Sequence, residues 1–279
     1  MQRAEVLTQA LPYIRRYNGK IIVVKYGGNA MVNESLKLQV MEDIVLLWLT
    51  GVKVVLVHGG GPEISDMMSK LGKKAEFVNG LRVTDKETVD IVQMVLSGKV
   101  NKTLVHLLQM EGGKAMGVSG IDGKLIEAKV KNEKLGFVGE ITGVNIDPVK
   151  DLLEKGYIPV ISTVAGDSEG NVYNINGDTA AAYIAGALGA ERLIMMTDIA
   201  GILRDKDDPE TLIPSVTIKE AEQLFKDGVI SGGMIPKALG GIEAIDAGVN
   251  SVHIIDGRIP HCLLLEIFTK SGIGTMITR

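Results

Sequence analysis

Cysteine is nearly absent from this sequence, since Cys262 is the only one among 279 residues. A disulfide within the chain therefore cannot form, and a metal site built from several cysteines is excluded. This usage fits a reducing compartment, so we expect the protein to be cytoplasmic. We expect Cys262 itself to pack a helix.

Aromatic residues are also few, and the net charge is small. Aromatics make up 4% of the residues, and the formal net charge is −4, with charges scattered along the chain. Both features argue against binding to nucleic acid or to an anionic membrane surface. No apolar run approaches the length of a membrane span, and residues 1–20 lack the apolar core of a secretory signal.

The sequence lacks two familiar phosphate-binding patterns around its glycine-rich segments, Gly-x-x-x-x-Gly-Lys-Ser/Thr and Gly-x-Gly-x-x-Gly. It has instead two apolar runs, residues 21–24 and 54–57, which lead into glycines 27–28 and 59–61. Each run is typical of a buried parallel strand, and glycines after a strand let backbone N–H groups approach an anion. A tight turn is the alternative. Lys25 precedes its glycines, which favours a different nucleotide-binding architecture.

Helical and strand patterns alternate along the chain, whose 279 residues permit one large domain or two lobes. The alternation predicts an α/β fold, with a mainly parallel central sheet covered by helices on both faces. Ligands bind beyond the carboxyl ends of the strands in such sheets. We expect helices near residues 35–49, 62–71, 84–110, 178–188, 218–225 and 236–247, strands at 157–162, 192–198 and 251–257, and hairpins within 124–144.

An amphipathic helix is predicted over residues 2–17, before the first strand. Pro12 should start, kink or interrupt it. The helix either packs on its own domain or reaches a neighbouring subunit. Thr84 to Glu87 has the spacing of a capping box for the helix that follows.

Two polar clusters accompany predicted helix starts. Asp178 or Thr179 is expected to cap one helix, and Asn174 and Asn176 project to the same side if their segment is extended. Lys237 lies just inside another helix start. Because a cation there opposes the helix dipole, a bound anion would explain it.

Together these residues resemble the amino acid kinase family, and within it the members that phosphorylate N-acetyl-L-glutamate. The resemblance covers essentially the whole chain. Its most discriminating motif is Asn-Gly-Leu-Arg-Val-Thr at residues 79–84, which relatives acting on aspartate, glutamate, carbamate or UMP are not expected to carry. The other matching segments are residues 25–31, 58–62, 174–181, 197–198 and 232–237.

The resemblance implies a three-layer αβα sandwich and transfer of phosphate from ATP to the γ-carboxylate of N-acetyl-L-glutamate, the second step of arginine biosynthesis. It implies that Lys25 and Lys237 stabilise the transferring phosphoryl group and that Asp178 orients both lysines. A carboxylate is already anionic at pH 7, so the nucleophile needs no general base. Mg²⁺ should arrive on the nucleotide phosphates, without a protein cage.

The resemblance also implies the remaining contacts. The acetylglutamate residues are Gly60, Gly61, Arg82, Asn174 and Asn176. The ATP residues are Lys25, Gly27, Gly28, Asn29, Thr197, Asp198, Ile202, Leu203, Gly233, Met234 and Lys237. The histidines have no metal-ligand spacing, so we expect them to be structural and expect no protein metal site.

The resemblance further implies a single kinase domain over residues 1–279, with an oligomerisation helix at 1–19, an acetylglutamate lobe at about 20–180 and an ATP lobe at about 181–279. The two chain ends resemble the arginine-inhibited class. Tyr13, His253, Glu266, Gly272 and Gly274 would then hold L-arginine. Swapped N-terminal helices would join three dimers into a hexamer.

Alternative functions remain open at this point. An acetylaminoadipate kinase of lysine biosynthesis differs in a substrate longer by one methylene, which a pocket distinguishes by only about 1–3 kcal/mol. A catalytically silent sensor of amino acids and nucleotides would not need both lysines and Asp178. A nicotinamide dehydrogenase is disfavoured because the dinucleotide fingerprint is missing.

Overall fold

The structure is a computed structural model, which describes the backbone of residues 2–279 and the side chains of residues 8–28 and 30–279. The α-helices are α1 (Gln2–Tyr17), α2 (Asn29–Val32), α3 (Glu34–Leu49), α4 (Gly61–Lys70), α5 (Lys86–Gln93), α6 (Asn101–Met110), α7 (Asp147–Glu154), α8 (Gly177–Ala187), α9 (Ile218–Lys226), α10 (Met234–Asp246) and α11 (Cys262–Phe268). A π-helix, Met94–Val100, lies between α5 and α6.

The strands alternate with these helices. They are β1 (Ile21–Tyr26), β2 (Lys53–His58), β3 (Phe77–Val78), β4 (Leu81–Arg82), β5 (Ala115–Ser119), β6 (Ile126–Val130), β7 (Gly139–Val144), β8 (Ile158–Ser162), β9 (Val164–Gly166), β10 (Val172–Asn174), β11 (Arg192–Thr197), β12 (Ser215–Thr217), β13 (Ser251–Asp256) and β14 (Thr275–Thr278). The predicted α/β class with a mainly parallel central sheet is confirmed. Within residues 2–279, no helix is long and apolar enough to cross a bilayer.

One compact unit contains residues 1–54 and 185–279. Its strands follow the order β12, β14, β13, β11, β1. β11 pairs in parallel with both β1 and β13, while β14 runs antiparallel to β13. All six residues of β11 are buried, as its continuous apolar run predicts. α10 packs against β13, and α11 packs against α3.

The second compact unit contains residues 55–184. β8 pairs in parallel with β2 on one side and with β5 on the other. β6 and β7 form the antiparallel hairpin that was expected within residues 124–144, and β9 and β10 extend its sheet. α6 packs against β5 and β8.

The two compact units do not follow the predicted order of lobes along the chain. Residues 20–54 were expected in the lobe of about residues 20–180, but they pack with residues 185–279. The difference arises because β1 pairs with β11, far along the sequence. Which ligand each predicted lobe binds stays a prediction.

Pro12 lies inside α1, which continues past it to Tyr17, so the proline neither starts nor interrupts the helix. The helical segment expected over residues 84–110 runs without a break from Lys86 to Met110, with the π-helix between α5 and α6. One local expectation was wrong, the capping box beginning at Thr84. The N-cap of α5 is Asp85, whose side chain accepts the Thr88 N–H, whereas the Thr84 hydroxyl is buried and donates to the Arg82 carbonyl.

Candidate functional site

A cavity of about 200 Å³ lies in the unit of residues 55–184. The glycine loop at residues 59–61, between β2 and α4, forms part of its wall, and α4 begins at Gly61 with Pro62 in its first turn. Because drug-sized ligands occupy cavities of about 300–1,000 Å³, this cavity suits a small metabolite better than a nucleotide. Arg82, Leu96, Asn174 and Asn176 also line it.

Arg82 brings a positive charge to this cavity. The residue is 6% exposed, and its Nη2 atom donates to the Gly61 carbonyl at 2.9 Å and to Ser65 Oγ at 2.8 Å. Burial lowers the pKa of Arg82, but a guanidinium keeps its charge in proteins. Among the described side chains, no Asp or Glu forms an ion pair with Arg82. The remaining donor capacity therefore favours an anionic ligand.

A short hairpin positions Arg82. β3 and β4 pair across Asn79 and Gly80, which have φ values of 50° and 79°. Positive φ at both central residues defines the turn that favours Asn-Gly in two-residue hairpins. The Arg82 guanidinium then lies 4.7 Å from the centre of the Phe77 ring. Sequence reasoning missed this hairpin, although Asn-Gly is a recognised hairpin signal.

Asn174 and Asn176 both line the cavity. Asn174 Nδ2 lies 3.3 Å from Thr84 Oγ1. Asn176 Oδ1 accepts the N–H groups of Asp178 and Thr179, both at 3.0 Å. The cap of α8 is therefore Asn176, and the expected cap at Asp178 or Thr179 was wrong.

In the unit of residues 1–54 and 185–279, Lys25 meets the glycines that follow β1. A Cβ atom at Gly27 would lie 2.6 Å from Lys25 Nζ, and one at Gly28 would lie 2.6 Å from Asp198 Oδ1. Lys25 and Asp198 come together because β1 and β11 are adjacent parallel strands. The predicted nucleotide residues Lys25, Gly27, Gly28 and Asp198 thus share one strand edge. Asn29 begins α2, and its side chain lies outside the described part.

The other predicted nucleotide residues lie on α10 and after β11. Gly233 precedes α10, Met234 begins it, and Lys237 is half-buried in its first turn. Ile202 is 1% exposed and its N–H donates to Thr275 Oγ1, so its side chain is part of the packed interior. Leu203 forms an isolated antiparallel β-bridge with Leu212. Thr197, the last residue of β11, is 6% exposed.

Asp178 lies in the first turn of α8, in the unit of residues 55–184. Lys25 and Lys237 belong to the other unit. Joint action of these three side chains stays a prediction. In the part of the chain whose side chains are described, no group of three or more His, Cys, Asp or Glu residues has the geometry of a metal site.

His253 and Glu266, two of the residues expected to hold arginine, form a buried network with the turn that follows α11. His253 Nδ1 lies 2.5 Å from Glu266 Oε1, and Glu266 Oε2 accepts the N–H groups of Ile273 and Gly274 at 2.8 and 3.3 Å. A Cβ atom at Gly272 would lie 2.6 Å from Glu266 Oε2. Tyr13 is half-buried on α1. The turn therefore presents N–H groups to Glu266, and binding of arginine by these residues stays a prediction.

One residue near this network was missed. Arg192, the first residue of β11, is 9% exposed, and its Cζ lies 4.7 Å from the centre of the Tyr17 ring. Burial lowers the pKa of Arg192. An arginine that opens an otherwise apolar strand was the available signal in the sequence.

Comparison with known proteins defines the class. Residues 20–256 match the model of the amino acid kinase family, and the chain belongs to this family. It is 56% identical over 276 residues to the acetylglutamate kinase of Thermosynechococcus vestitus, covering 99% of this chain and 94% of that protein. It is 54% identical over 276 residues to the acetylglutamate kinase of Clostridium kluyveri, covering 98% of each.

Solved structures agree with this class. The N-acetylglutamate synthase of Neisseria gonorrhoeae, in complex with coenzyme A and N-acetyl-glutamate, superposes with a TM-score of 0.85 at 25% identity. The match covers 99% of this chain and 63% of the synthase chain. The same synthase with coenzyme A and L-arginine gives a TM-score of 0.81 at 25% identity, covering 99% and 65%. Carbamate kinase of Giardia lamblia shares the fold, with a TM-score of 0.69 at 19% identity and coverage of 94% and 99%.

Proposed function

We propose that this protein transfers the γ-phosphoryl group of ATP to the γ-carboxylate of N-acetyl-L-glutamate, the second step of arginine biosynthesis. The observation that carries the substrate assignment is the buried Arg82 guanidinium at a cavity sized for a small metabolite. Acetylglutamate kinases at 50–56% identity over nearly the full chain support the reaction. The cytoplasm is the proposed compartment, in keeping with a single buried cysteine.

Arg82 is proposed to bind the α-carboxylate of the substrate. Its planar fork donates to two carboxylate oxygens at once, which a lysine cannot do. Gly60 and Gly61 would supply backbone N–H groups to the reacting end, and Asn174 and Asn176 would supply side-chain amides. All of these residues line or border the same cavity.

The chemical step brings two anionic groups together, the γ-phosphate of ATP and the γ-carboxylate of the acceptor. Phosphoryl transfer is catalysed mainly by alignment and by stabilisation of charge on the transferring oxygens. Lys25 and Lys237 are proposed to supply that positive charge. Asp178 is proposed to orient them through charge-assisted hydrogen bonds.

ATP is proposed to bind along the glycines after β1 and the edge of β11, through Gly27, Gly28, Asn29, Thr197 and Asp198. The proposed ATP set is completed by Gly233, Met234, Leu203 and Ile202. Because the Ile202 side chain is buried, we propose that it supports the ATP site from the interior and does not touch the nucleotide. Mg²⁺ usually keeps several waters and binds through substrate phosphates. We therefore propose that it arrives with the nucleotide.

Hydroxylamine trapping of the acyl phosphate tests this function. The purified protein is incubated with MgATP and N-acetylglutamate, glutamate, aspartate or acetylaminoadipate in separate reactions. Hydroxamate formed fastest from N-acetylglutamate supports the proposal. Preference for acetylaminoadipate would move the protein to lysine biosynthesis, and no product from any acceptor would indicate a silent sensor.

We further propose that L-arginine inhibits the enzyme at the network around His253 and Glu266, and that helices α1 join three dimers into a hexamer. The buried Glu266 carboxylate supplies negative charge for a guanidinium. Inhibition requires different arginine affinities in active and inhibited states. Sedimentation of the full chain and of a chain lacking residues 1–19, with activity titrated against arginine, tests both parts. A dimeric full chain refutes the hexamer, and an activity indifferent to arginine refutes the inhibition.

A further inference from the structure

His58 is a buried histidine to which the proposed reaction assigns no role. It is the last residue of β2 and is 0% exposed. Its Nδ1 atom lies 2.8 Å from the carbonyl oxygen of Gly59, and its Nε2 atom lies 3.1 Å from Asn101 Nδ2. Both ring nitrogens therefore have partners, and one of those partners belongs to the glycine loop of the cavity.

The surroundings of Asn101 decide which way its amide points. Lys102 Nζ lies 3.1 Å from Asn101 Oδ1, and an ammonium group can only donate. On the other side, the carbonyl oxygen of Val160 lies 2.9 Å from Asn101 Nδ2, and a carbonyl can only accept. Two independent neighbours thus assign the amide nitrogen to the side that faces His58.

This orientation determines the tautomer of His58. Because Asn101 Nδ2 donates, His58 Nε2 must accept and carries no proton. The proton of the neutral ring is then on Nδ1, which donates to the Gly59 carbonyl. Complete burial lowers the pKa of His58 to about 4, so the ring is neutral at pH 7.

The held carbonyl determines where the next N–H group points. In a trans peptide the C=O and the following N–H lie in one plane and point in opposite directions. With the Gly59 carbonyl turned toward His58, the Gly60 N–H points away from the histidine. Gly60 itself lines the cavity and packs closely, since a Cβ there would lie 2.6 Å from Leu96 Cδ2.

We propose that His58 is a positioning residue that fixes the Gly59–Gly60 peptide, so that the Gly60 N–H is aimed at the anionic reacting group in the cavity. This inference rests on the proposed function. Lys102 and Asn101 fix the tautomer, His58 holds the carbonyl, and the donor is already oriented before substrate binds. Such preorganised donors stabilise charge that develops during reaction.

Two substitutions of His58 separate its two hydrogen bonds. His58→Asn keeps a side-chain N–H near the position of Nδ1 but cannot reach Asn101. His58→Gln reaches toward Asn101 but has no donor at the position of Nδ1. We expect kcat to fall about 10- to 100-fold in His58→Gln. Removal of an oxyanion donor itself lowers kcat by about 10²–10³, so loss of the residue that only orients the donor should cost no more than that. His58→Asn should recover most of kcat, and the KM for ATP should stay unchanged in both.

His106→Asn and His106→Gln, which alter an exposed histidine on α6, are the matched controls and should leave kcat unchanged. Melting temperatures are measured for every variant. If His58 had only a structural role, kcat would fall in proportion to the melting temperature of each variant. It would not depend on whether the new side chain replaces Nδ1 or Nε2. Equal losses in the two His58 variants, no loss in either, or retention in Gln alone would overturn the proposal.

The tautomer is measured separately in the unsubstituted protein, by NMR of ¹⁵N-histidine with the His58 signals assigned through their loss in His58→Gln. The expected result near pH 7 is a protonated Nδ1 and an unprotonated Nε2. A protonated Nε2 would overturn the inference even in a fully active kinase. If the protein phosphorylates no acceptor, the proposed function fails, while this measurement still decides the arrangement of His58.

Discussion

The backbone of Gly28 lies against the carboxylate of Asp198, so closely that a Cβ atom at position 28 would be 2.6 Å from Oδ1. Gly28 also has a φ of 70°, in the left-handed region that glycine tolerates best. The contact joins the loop after β1 to the residue after β11. Glycine is required here for two reasons, conformation and space.

Gly28→Ala is therefore expected to shift the loop away from Asp198 and to raise the KM for ATP. Gly19→Ala is the matched control, because Gly19 has a φ of 75° but a Cβ atom there would have nothing within 4 Å. Both variants should lose about 1–2 kcal/mol of stability from the left-handed backbone. Steady-state kinetics with varied ATP should show a raised KM for ATP only in Gly28→Ala. An equal rise in KM in both variants would refute a role for the close contact.

Removal of either proposed catalytic lysine should reduce the rate of the chemical step. Lys25→Met and Lys237→Met are each expected to lower kcat by about 10²–10⁴, with smaller effects on either KM, because the lost interaction is strongest in the transition state. Lys53→Met, at an exposed position of β2, serves as the control. Near-normal kcat in one variant would remove that lysine from the proposed mechanism.

Arg82→Ala should act mainly on the acceptor substrate. Loss of hydrogen bonds between charged groups costs about 1.5–3 kcal/mol, which predicts a rise of roughly 10- to 100-fold in the KM for N-acetylglutamate. Arg82→Lys should restore little, because an ammonium lacks the planar fork. Lys74→Ala removes an exposed charge from the same unit and should have no effect. A change confined to the KM for ATP would contradict the substrate assignment.

The buried His58 should make stability depend on pH. Its pKa is lowered by burial from 6.5 to about 4. As pH falls below 6.5, the unfolded chain binds a proton that the folded protein does not accept until about pH 4, so the free energy of unfolding decreases. Relative to His58→Gln, the wild type should lose about 3 kcal/mol between pH 7 and pH 4. Urea unfolding at several pH values measures this, and a constant difference would show that His58 titrates normally.

The elements that burial dictates are those the sequence predicted best. β1, β2 and β11 contain continuous apolar runs. The glycines after β1 and the aspartate after β11 meet at one strand edge, as their positions in the sequence predicted. α3 and α10 followed from helical spacing of apolar residues. In these segments the local pattern and the packed environment require the same structure.

What the sequence did not predict depends on contacts between distant residues. The local sequence contains no signal for the π-helix, whose Leu96 and Val100 side chains lie close to Gly60. Asn176, Asp178 and Thr179 are all acceptable caps by residue type, and only the path of the chain selects Asn176. The pairing of β1 with β11 is likewise a contact between distant residues, and it places residues 1–54 and 185–279 in one compact unit that is discontinuous in sequence.

The π-helix between α5 and α6 also bears on how the length of this segment can vary in evolution. A π-turn accommodates an additional residue while the α-helices on either side keep their faces. We therefore expect a one-residue deletion within residues 94–100 to preserve the hydrogen bonds from Asn101 to the Val118 and Val160 carbonyls and to change the cavity wall around Leu96. A change of one residue in this segment would then alter the shape of the cavity while β5 and β8 keep their pairing.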